Sequence, residues 1–229
     1  MFCIEGTGAI SHVSIRNSPD VRNEPELFAA IGIKGRPDLA RVLEGPVPDW
    51  KKFSMPNGAL GDIGKTWGLA RFREPSFLSR FPFGEIQLKD KALPLEAEIT
   101  GWSPFIPTDA DNSSLPVGAL EYSFRNTGQK RTEYVFSFNA GGFAPIKPMP
   151  KGFILSRKYT KGTPEEQCDW AFFTDDPVET VDYCWFRGGW FDPLTMAWKN
   201  IQNCVTNAVA PADNSGGASL YVPFSLNPG

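Results

Sequence analysis

The sequence has a single histidine, His12, and only four cysteines, at positions 3, 168, 184 and 204. Metal centres built from Cys and His usually use ligands in close pairs, and these cysteines are far apart with no C-x-x-C spacing. Sites that need two or three histidines are excluded by count. We therefore expect Cys3, Cys168, Cys184 and Cys204 to be buried free thiols. The alternative that two of them form one disulfide is not excluded by the sequence. No metal or other cofactor is predicted.

Long apolar runs and basic clusters are also missing. No apolar run approaches the ~20 residues needed to cross a bilayer, so no transmembrane segment is predicted. The first residues lack the basic segment and apolar core of a signal peptide, which favours the cytoplasm while leaving the location open. The net charge is −3, and the densest basic run, Gln129-Lys130-Arg131, reads as a solvated turn. No nucleic-acid surface is predicted.

Turn-forming and aromatic residues are abundant, with 22 Gly, 21 Pro, 18 Phe and 7 Trp. Inside helices each Pro costs ~3 kcal/mol and each Gly ~1 kcal/mol, so this composition favours short strands joined by turns. Apolar and polar residues alternate strictly at 85–89 and 95–100, which predicts a hairpin through 90–94. Alternation at 120–125 and 133–138 predicts a second hairpin with one aromatic face, which a second sheet must cover.

Taken together, these patterns predict an all-β fold: a large two-sheet antiparallel β-sandwich with long loops and one or two short helices. The whole chain, 1–229, is expected to form a single domain. Further strands are predicted at residues 9–15, 28–33, 67–72, 153–157, 168–173, 181–186 and 219–226.

One helix is predicted near the end of the chain. Asp192 can cap its N-terminus and Pro193 suits its first turn. The apolar residues that follow recur at spacings of four, three and four and form one stripe; they are Leu194, Trp198, Ile201 and Val205.

Both ends of the sequence look cut. The last predicted strand runs into Asn227-Pro228-Gly229, a turn signal with no returning strand after it, and the N-terminus begins inside apolar sequence. We therefore expect a domain truncated at both ends. Such a chain would expose a sheet edge and be poorly soluble when expressed alone.

Catalytic constellations are not apparent. No G-x-S-x-G nucleophile elbow occurs, which disfavours an esterase, and Gly6-Thr7-Gly8 is followed by strand-forming residues rather than by a phosphate-binding helix. Glycoside hydrolysis needs two carboxyl groups ~5–9 Å apart, a distance that sequence does not give. No catalytic residue is predicted; the loop acids considered are Asp109, Asp111, Asp175, Asp176, Asp182 and Asp192.

Two aromatic loops are the candidate binding surface. One is Trp185-Phe186-Arg187-Gly188-Gly189-Trp190-Phe191, and the other is Trp102-Ser103-Pro104-Phe105-Ile106-Pro107. Sugars stack on flat rings, but Trp, Phe and Arg are also enriched at protein contacts, and rings beside prolines favour contact. The candidate domain-interface or sugar-entrance residues are Trp102, Phe105, Trp185 and Trp190.

Several segments, in order along the chain, are similar to one family. Gly101-Trp102-Ser103-Pro104-Phe105-Ile106-Pro107, Asn112-Ser113-Ser114-Leu115-Pro116-Val117 and Glu121-Tyr122-Ser123-Phe124-Arg125-Asn126 resemble the N-terminal domain of glycoside hydrolase family 116. This family includes β-glucosidases and non-lysosomal glucosylceramidases. The segments 6–11 and 41–45 look similar to it as well.

The resemblance implies a retaining glycosidase as the parent protein, with an N-terminal β-sandwich packed on a C-terminal (α/α)6 barrel. The Glu nucleophile and Asp acid/base would belong to the barrel, which this chain lacks. The chain alone is therefore expected to be inactive, to brace the barrel and to shape its substrate entrance. A β-glucoside or glucosylceramide would be bound through the barrel. The alternative is a stand-alone carbohydrate-binding β-sandwich module.

Overall fold

A computed structural model describes residues 2–13, 26–53, 65–142, 145–156, 169–177, 179–188, 192–213 and 215–229. The strands there are β1 (Phe2–Ile4), β2 (Ile10–Val13), β3 (Leu27–Ile33), β4 (Arg41–Val42), β5 (Glu74–Arg80), β6 (Phe83–Lys89), β7 (Leu95–Trp102), β8 (Ala119–Asn126), β9 (Thr132–Gly141), β10 (Ile146–Met149), β11 (Gly152–Ser156), β12 (Asp169–Phe173), β13 (Thr180–Asp182) and β14 (Gly217–Leu226). The helices are α1 (Asp49–Phe53), α2 (Ala110–Ser113) and α3 (Pro193–Gln202), with 3-10 turns at Pro37–Leu39 and Lys65–Gly68.

The predicted all-β antiparallel class is confirmed. Every strand pair within the sheets is antiparallel, and the helices are short. The chain divides into two compact units that alternate along the sequence. Unit 1 contains Met1–Pro25, Leu43–Arg131 and Asn227–Gly229, and unit 2 contains Glu26–Val42 and Thr132–Leu226.

Unit 1 is built on a four-stranded sheet in the order β5-β6-β7-β8. The hairpin predicted between β6 and β7 is confirmed. Strict alternation in β7 buries Leu95, Ala97 and Ile99 on one face, because successive side chains of a strand point to opposite sides. The β1–β2 ribbon lies close to this sheet at two glycines. A Cβ at Gly101 would come 2.4 Å from Ile4, and one at Gly118 would come 2.0 Å from Phe2.

Unit 2 is built on a five-stranded sheet in the order β13-β14-β9-β3-β4. The β9–β14 ladder runs over ten residue pairs, from Gly141 opposite Gly217 to Thr132 opposite Leu226. All seven residues of β3 are buried, as expected for a central strand with both faces covered. A three-stranded sheet, β10-β11-β12, also belongs to this unit, and its Phe172 ring stacks on Phe138 of β9 at 5.3 Å.

The predicted helix is confirmed as α3. The Asp192 carboxylate accepts hydrogen bonds from the Leu194 backbone N–H and the Thr195 hydroxyl, which caps the first turn. Its buried face carries Leu194, Ala197 and Ile201. The helix ends at Gln202, so Val205 lies beyond the apolar stripe to which the spacing assigned it.

The second predicted hairpin is wrong. β8 pairs with β7, whereas β9 pairs with β3 and β14, so the two aromatic strands belong to different sheets. Hydrogen bonds of Asn126 and Thr127 fix the connection between these two strands. The Asn126 side chain accepts a hydrogen bond from the Gly128 N–H and donates one to the Lys130 carbonyl, while the Thr127 N–H bonds to Pro94.

Two other strand predictions need correction. Residues 67–72 form no strand, because the Arg71 guanidinium gathers the Thr66 and Leu69 carbonyls around a 3-10 turn. The strand predicted at 181–186 ends at Asp182, since the Cys184 N–H turns back to the Asp182 carboxylate. The remaining predicted strands are confirmed within one or two residues, except at Ile15, Arg157 and Cys168, which lie outside the described residues.

The last strand, β14, pairs with β9 along its whole length and with β13 over three residues. β14 lies between β13 and β9, which occupy both of its sides over Ser219 to Tyr221. The residues after it do not turn back along β14. The Gly229 N–H instead donates to the Asn126 carbonyl at 3.1 Å.

A glycine in β3 lets α3 approach the sheet, and this generates a stability prediction. A Cβ at Gly32 would lie 2.4 Å from the Ile201 carbonyl oxygen and 2.9 Å from the Cys204 sulfur. Gly32→Ala is therefore expected to lower the free energy of unfolding of unit 2 by about 1–3 kcal/mol, measured by urea denaturation. Gly68→Ala is the control, because an added Cβ there meets nothing within 4 Å. Equal effects of the two substitutions would contradict the packing argument.

Candidate functional site

A group of exposed apolar side chains lies at one end of the four-stranded sheet in unit 1. Along this end Arg80 pairs with Phe83 and Trp102 pairs with Ala119. The Phe81 ring, in the β5–β6 turn, meets the Phe105 ring edge to face at 4.8 Å. Phe81 is 75% exposed, Phe105 48% and Trp102 38%. We call this group the aromatic tip; its members are Phe81, Phe83, Trp102, Phe105 and Ile106.

The loop that carries much of the tip is cross-linked by one serine. The Ser113 hydroxyl accepts a hydrogen bond from the Ile106 N–H at 2.9 Å and donates one to the Ile106 carbonyl at 3.0 Å. It therefore joins the two loop segments, 101–107 and 112–117, that resemble the family most closely. Leu115 and Val117 are about half exposed beside the tip. The loop is thus internally braced while its apolar side chains face outward.

Asp109 completes the bracing of this loop. Its carboxylate caps α2 by accepting from the Asn112 N–H at 3.0 Å and from the Asn112 side-chain amide at 2.6 Å. These hydrogen bonds hold the pKa of the Asp109 carboxyl below its ordinary value. The group therefore remains an ionised cap over the neutral pH range.

Trp185 has a different environment from Trp102 and Phe105. It is 4% exposed, and its indole N–H donates to the Ser219 hydroxyl at 2.8 Å. Its ring also lies against Gly217, where a Cβ would come 2.5 Å from it. Trp190 lies outside the described residues. Of the four candidate residues, Trp102 and Phe105 are therefore exposed at the same end of the four-stranded sheet, and Trp185 is buried in unit 2.

The hydrogen bond of Trp185 begins a buried polar chain across the five-stranded sheet. The Ser219 hydroxyl donates to the Asn139 side-chain oxygen at 2.7 Å. The Asn139 amide in turn donates to the Phe28 carbonyl at 3.2 Å and to the Ser137 hydroxyl at 3.0 Å. Each of these buried polar groups has a partner, so the chain fixes the segment around Trp185 on β14, β9 and β3. This role could not be recognised from the aromatic run alone.

The acids considered from the sequence have individual structural surroundings. Asp109 and Asp192 cap helices. Asp182 accepts from the Cys184 N–H, and burial raises its pKa. Asp111 lies exposed in α2, and Asp175 and Asp176 lie in a loop at or near the surface. Within the same described ranges, no group of three or more His, Cys, Asp or Glu side chains is arranged to hold a metal.

The prediction of buried free thiols is confirmed for Cys184 and is wrong in its burial for Cys3 and Cys204, which are partly exposed. His12 lies on β2 opposite Cys3 in the β1–β2 ribbon. Cys3, Cys184 and Cys204 are free thiols, and Cys168 falls outside the described part of the chain. The Cys184 thiol is buried, while the other two are partly exposed.

Two further carboxylates, Glu5 and Glu44, lie inside unit 1 beside cations. Lys51 contacts Glu5 at 2.5 Å, and Arg71 contacts Glu44 at 3.2 Å. Burial raises the pKa of the Glu44 carboxyl above its ordinary value of 4.5, and the attraction of Arg71 and Lys51 only partly offsets this effect. Burial and the charge of Glu44 also raise the pKa of Tyr122. Because each acid has its own cation, this arrangement fits an internal charge cluster better than an acid/base pair.

The fold and the site together define an all-β antiparallel protein with a braced apolar surface. A family model described as beta-glucosidase 2, glycosyl-hydrolase family 116 N-term, matches residues 2–229. The chain belongs to this family, as the N-terminal domain of a family 116 glycoside hydrolase. Membership implies a catalytic domain in the same protein. No curated protein matches the chain. None of the helices in the described residues is both long and apolar enough to span a membrane.

The raised pKa of Glu44 predicts a pH-dependent difference between the wild type and Glu44→Gln. A carboxyl whose pKa is higher in the folded chain binds more protons when folded, so its contribution to stability is complete below 4.5 and is lost as pH rises through the folded pKa. The wild type should therefore lose stability relative to Glu44→Gln as pH increases from 4.5 upward. Urea denaturation of both proteins between pH 4 and 8 measures this difference, and a slope of opposite sign would contradict it.

Proposed function

We propose that this chain is a non-catalytic domain that braces the catalytic domain of its glycoside hydrolase, with the aromatic tip contacting that domain beside the substrate entrance. The main observation in support is the aromatic tip, an exposed apolar surface in a chain that matches the N-terminal family over residues 2–229. The substrate, a β-glucoside such as glucosylceramide, would be bound through the catalytic domain. The family match to an N-terminal domain supports this division of labour.

The chemistry of the tip favours a protein contact over a sugar site. Sugar-binding sites pair an aromatic face with polar groups placed to bind hydroxyls. The five tip residues are apolar, and Trp102 supplies the one polar side-chain group among them, its indole N–H. Rings of this kind at the centre of a protein interface contribute most of its binding energy. The stand-alone carbohydrate-binding module therefore remains the second candidate.

Activity of the isolated chain tests the division of labour. The 229-residue chain should show no turnover of an aryl β-glucoside above buffer, because this proposal assigns both catalytic carboxylates to the catalytic domain. The full-length enzyme is assayed in parallel as the positive control. Turnover by the isolated chain, retained through purification, would contradict the proposal.

Substitutions at the tip test the contact. In the full-length enzyme, Trp102→Ala and Phe105→Ala should each weaken domain contact by about 1–4 kcal/mol, as for buried aromatic residues at interfaces. We expect a lower midpoint of thermal unfolding and a raised KM for an aryl β-glucoside. Phe173→Ala is the matched control, because Phe173 is a 65% exposed ring outside the tip.

Calorimetry distinguishes the second candidate. The isolated chain is titrated with glucosides and oligosaccharides, and the contact model predicts no specific heat of binding. Saturable binding that Trp102→Ala abolishes, with unchanged stability of the full-length variant, would instead support a carbohydrate-binding module.

A further inference from the structure

Two segments of unit 1 that are distant in sequence lie side by side. They are 6–11 and 43–45, which lie within two of the segments that resemble the family. The Gly45 N–H donates to the Thr7 carbonyl at 2.7 Å. Gly8 has a φ of +89°, and a Cβ there would lie 3.2 Å from the Leu43 carbonyl oxygen. A glycine is favoured at this position by both its backbone conformation and the close approach of the second segment.

Each segment carries one acid of the internal charge cluster, directly beside the contact between the segments. Glu5 precedes Gly6, and Glu44 precedes Gly45. The Lys51 side chain is 3% exposed and reaches Glu5 from α1, while Arg71 is 6% exposed and reaches Glu44. Charges that are this deeply buried are retained at low cost only when each has a partner.

Arg71 extends the cluster to a third part of the chain. Besides Glu44, its guanidinium donates to the Thr66 carbonyl at 2.6 Å, the Leu69 carbonyl at 3.0 Å and the Thr66 hydroxyl at 3.2 Å. The Phe72 N–H donates to the Glu44 carbonyl at 3.0 Å, so residues 66–72 are bonded to residue 44 through both side chain and backbone. These segments include no strand of the four-stranded sheet.

The charges act on one another as one group. The charges of Arg71 and Lys51 lower the pKa of Glu44, and the charge of Glu5 raises it. The charge of Glu44 in turn raises the pKa of Tyr122 in β8. Two acids and two bases alternate around the site and leave it neutral when all four are ionised. Removing one cation leaves an acid buried without compensation, which is far more costly than removing an exposed partner.

We propose that the cluster of Glu5, Glu44, Lys51 and Arg71 is an electrostatic clamp that holds the segments 5–11, 43–53 and 65–72 closed in unit 1. The four-stranded sheet has ladders of its own that include none of these segments, although Gly8 contacts its apolar face at Ile86 and Ile99. Loss of one cation from the clamp therefore opens these segments locally while the ladders of the sheet remain formed. The inference is independent of the function proposed for the aromatic tip.

Hydrogen exchange of individual amides in the 229-residue chain tests the clamp. Arg71→Met should accelerate exchange at the Gly45 and Phe72 amides by more than about tenfold, with exchange in β6 and β7 unchanged. Arg125→Met is the matched control, because Arg125 forms an exposed ion pair with Glu96 in the same unit. That variant should leave the Gly45 and Phe72 amides protected.

A double substitution separates electrostatics from packing. In Glu44→Gln with Arg71→Met no uncompensated charge remains, so protection at Gly45 should recover relative to Arg71→Met alone. Unchanged exchange in Arg71→Met would overturn the proposal, as would equal acceleration in β6 and β7. Exchange in the double variant that is as fast as in the single one would also overturn it.

Lys51→Met keeps the test decisive if Arg71→Met does not fold. Its partner Glu5 is partly exposed, at 19%, so the charge left behind can be hydrated. The Gly8 amide, which donates to the Glu5 carbonyl at 2.8 Å, should then lose protection while the sheet is retained. Failure of both variants to fold would show that the cluster holds the whole unit rather than these segments, and would reject the clamp.

Discussion

The ladder between β9 and β14 is the interaction on which unit 2 depends. It pairs ten residues on each strand. On its other edge β9 pairs with β3, and on its other edge β14 pairs with β13. One face of β9 presents Phe138 to Phe172 of the three-stranded sheet. The other face carries Ser137 and Asn139, whose hydrogen bonds lead to Trp185. A strand with two paired sides and two covered faces has little freedom, so the surrounding elements are positioned from it.

Unit 1 combines a covered sheet with an uncovered end. Its buried face relies on glycines that admit the β1–β2 ribbon, whereas the aromatic tip is supported by polar bonds within its own loop. This contrast is informative because apolar side chains normally drive loops to collapse inward. Here Ser113 and Asp109 supply the order that a core would otherwise supply. The outward rings can then be maintained at the surface for a partner.

The sequence predicted elements whose signals are local. Alternation located β6 and β7, and the Asp192-Pro193 start located α3, because capping and pleat act within a few residues. It did not predict that β8 and β9 belong to different sheets, since strand pairing is decided by long-range contacts and by the hydrogen bonds of Asn126. At the site, the sequence marked Trp102, Phe105 and Trp185 alike as candidate binding residues, and the structure exposes the first two. The sequence did not distinguish them from Trp185, because the burial of that ring depends on Ser219, 34 residues away.

The pairing of β3 has a consequence for synthesis on the ribosome. This wholly apolar strand emerges early, yet its central partner β9 is translated about 100 residues later, or roughly 5–20 s at ordinary elongation rates. During that interval Leu27-Phe28-Ala29-Ala30-Ile31-Gly32-Ile33 has no central partner strand to cover it. The four-stranded sheet of unit 1, by contrast, is complete in sequence once β8 has emerged. Unit 1 can therefore begin to fold first, while the nascent β3 awaits its partner as a segment that chaperones would recognise.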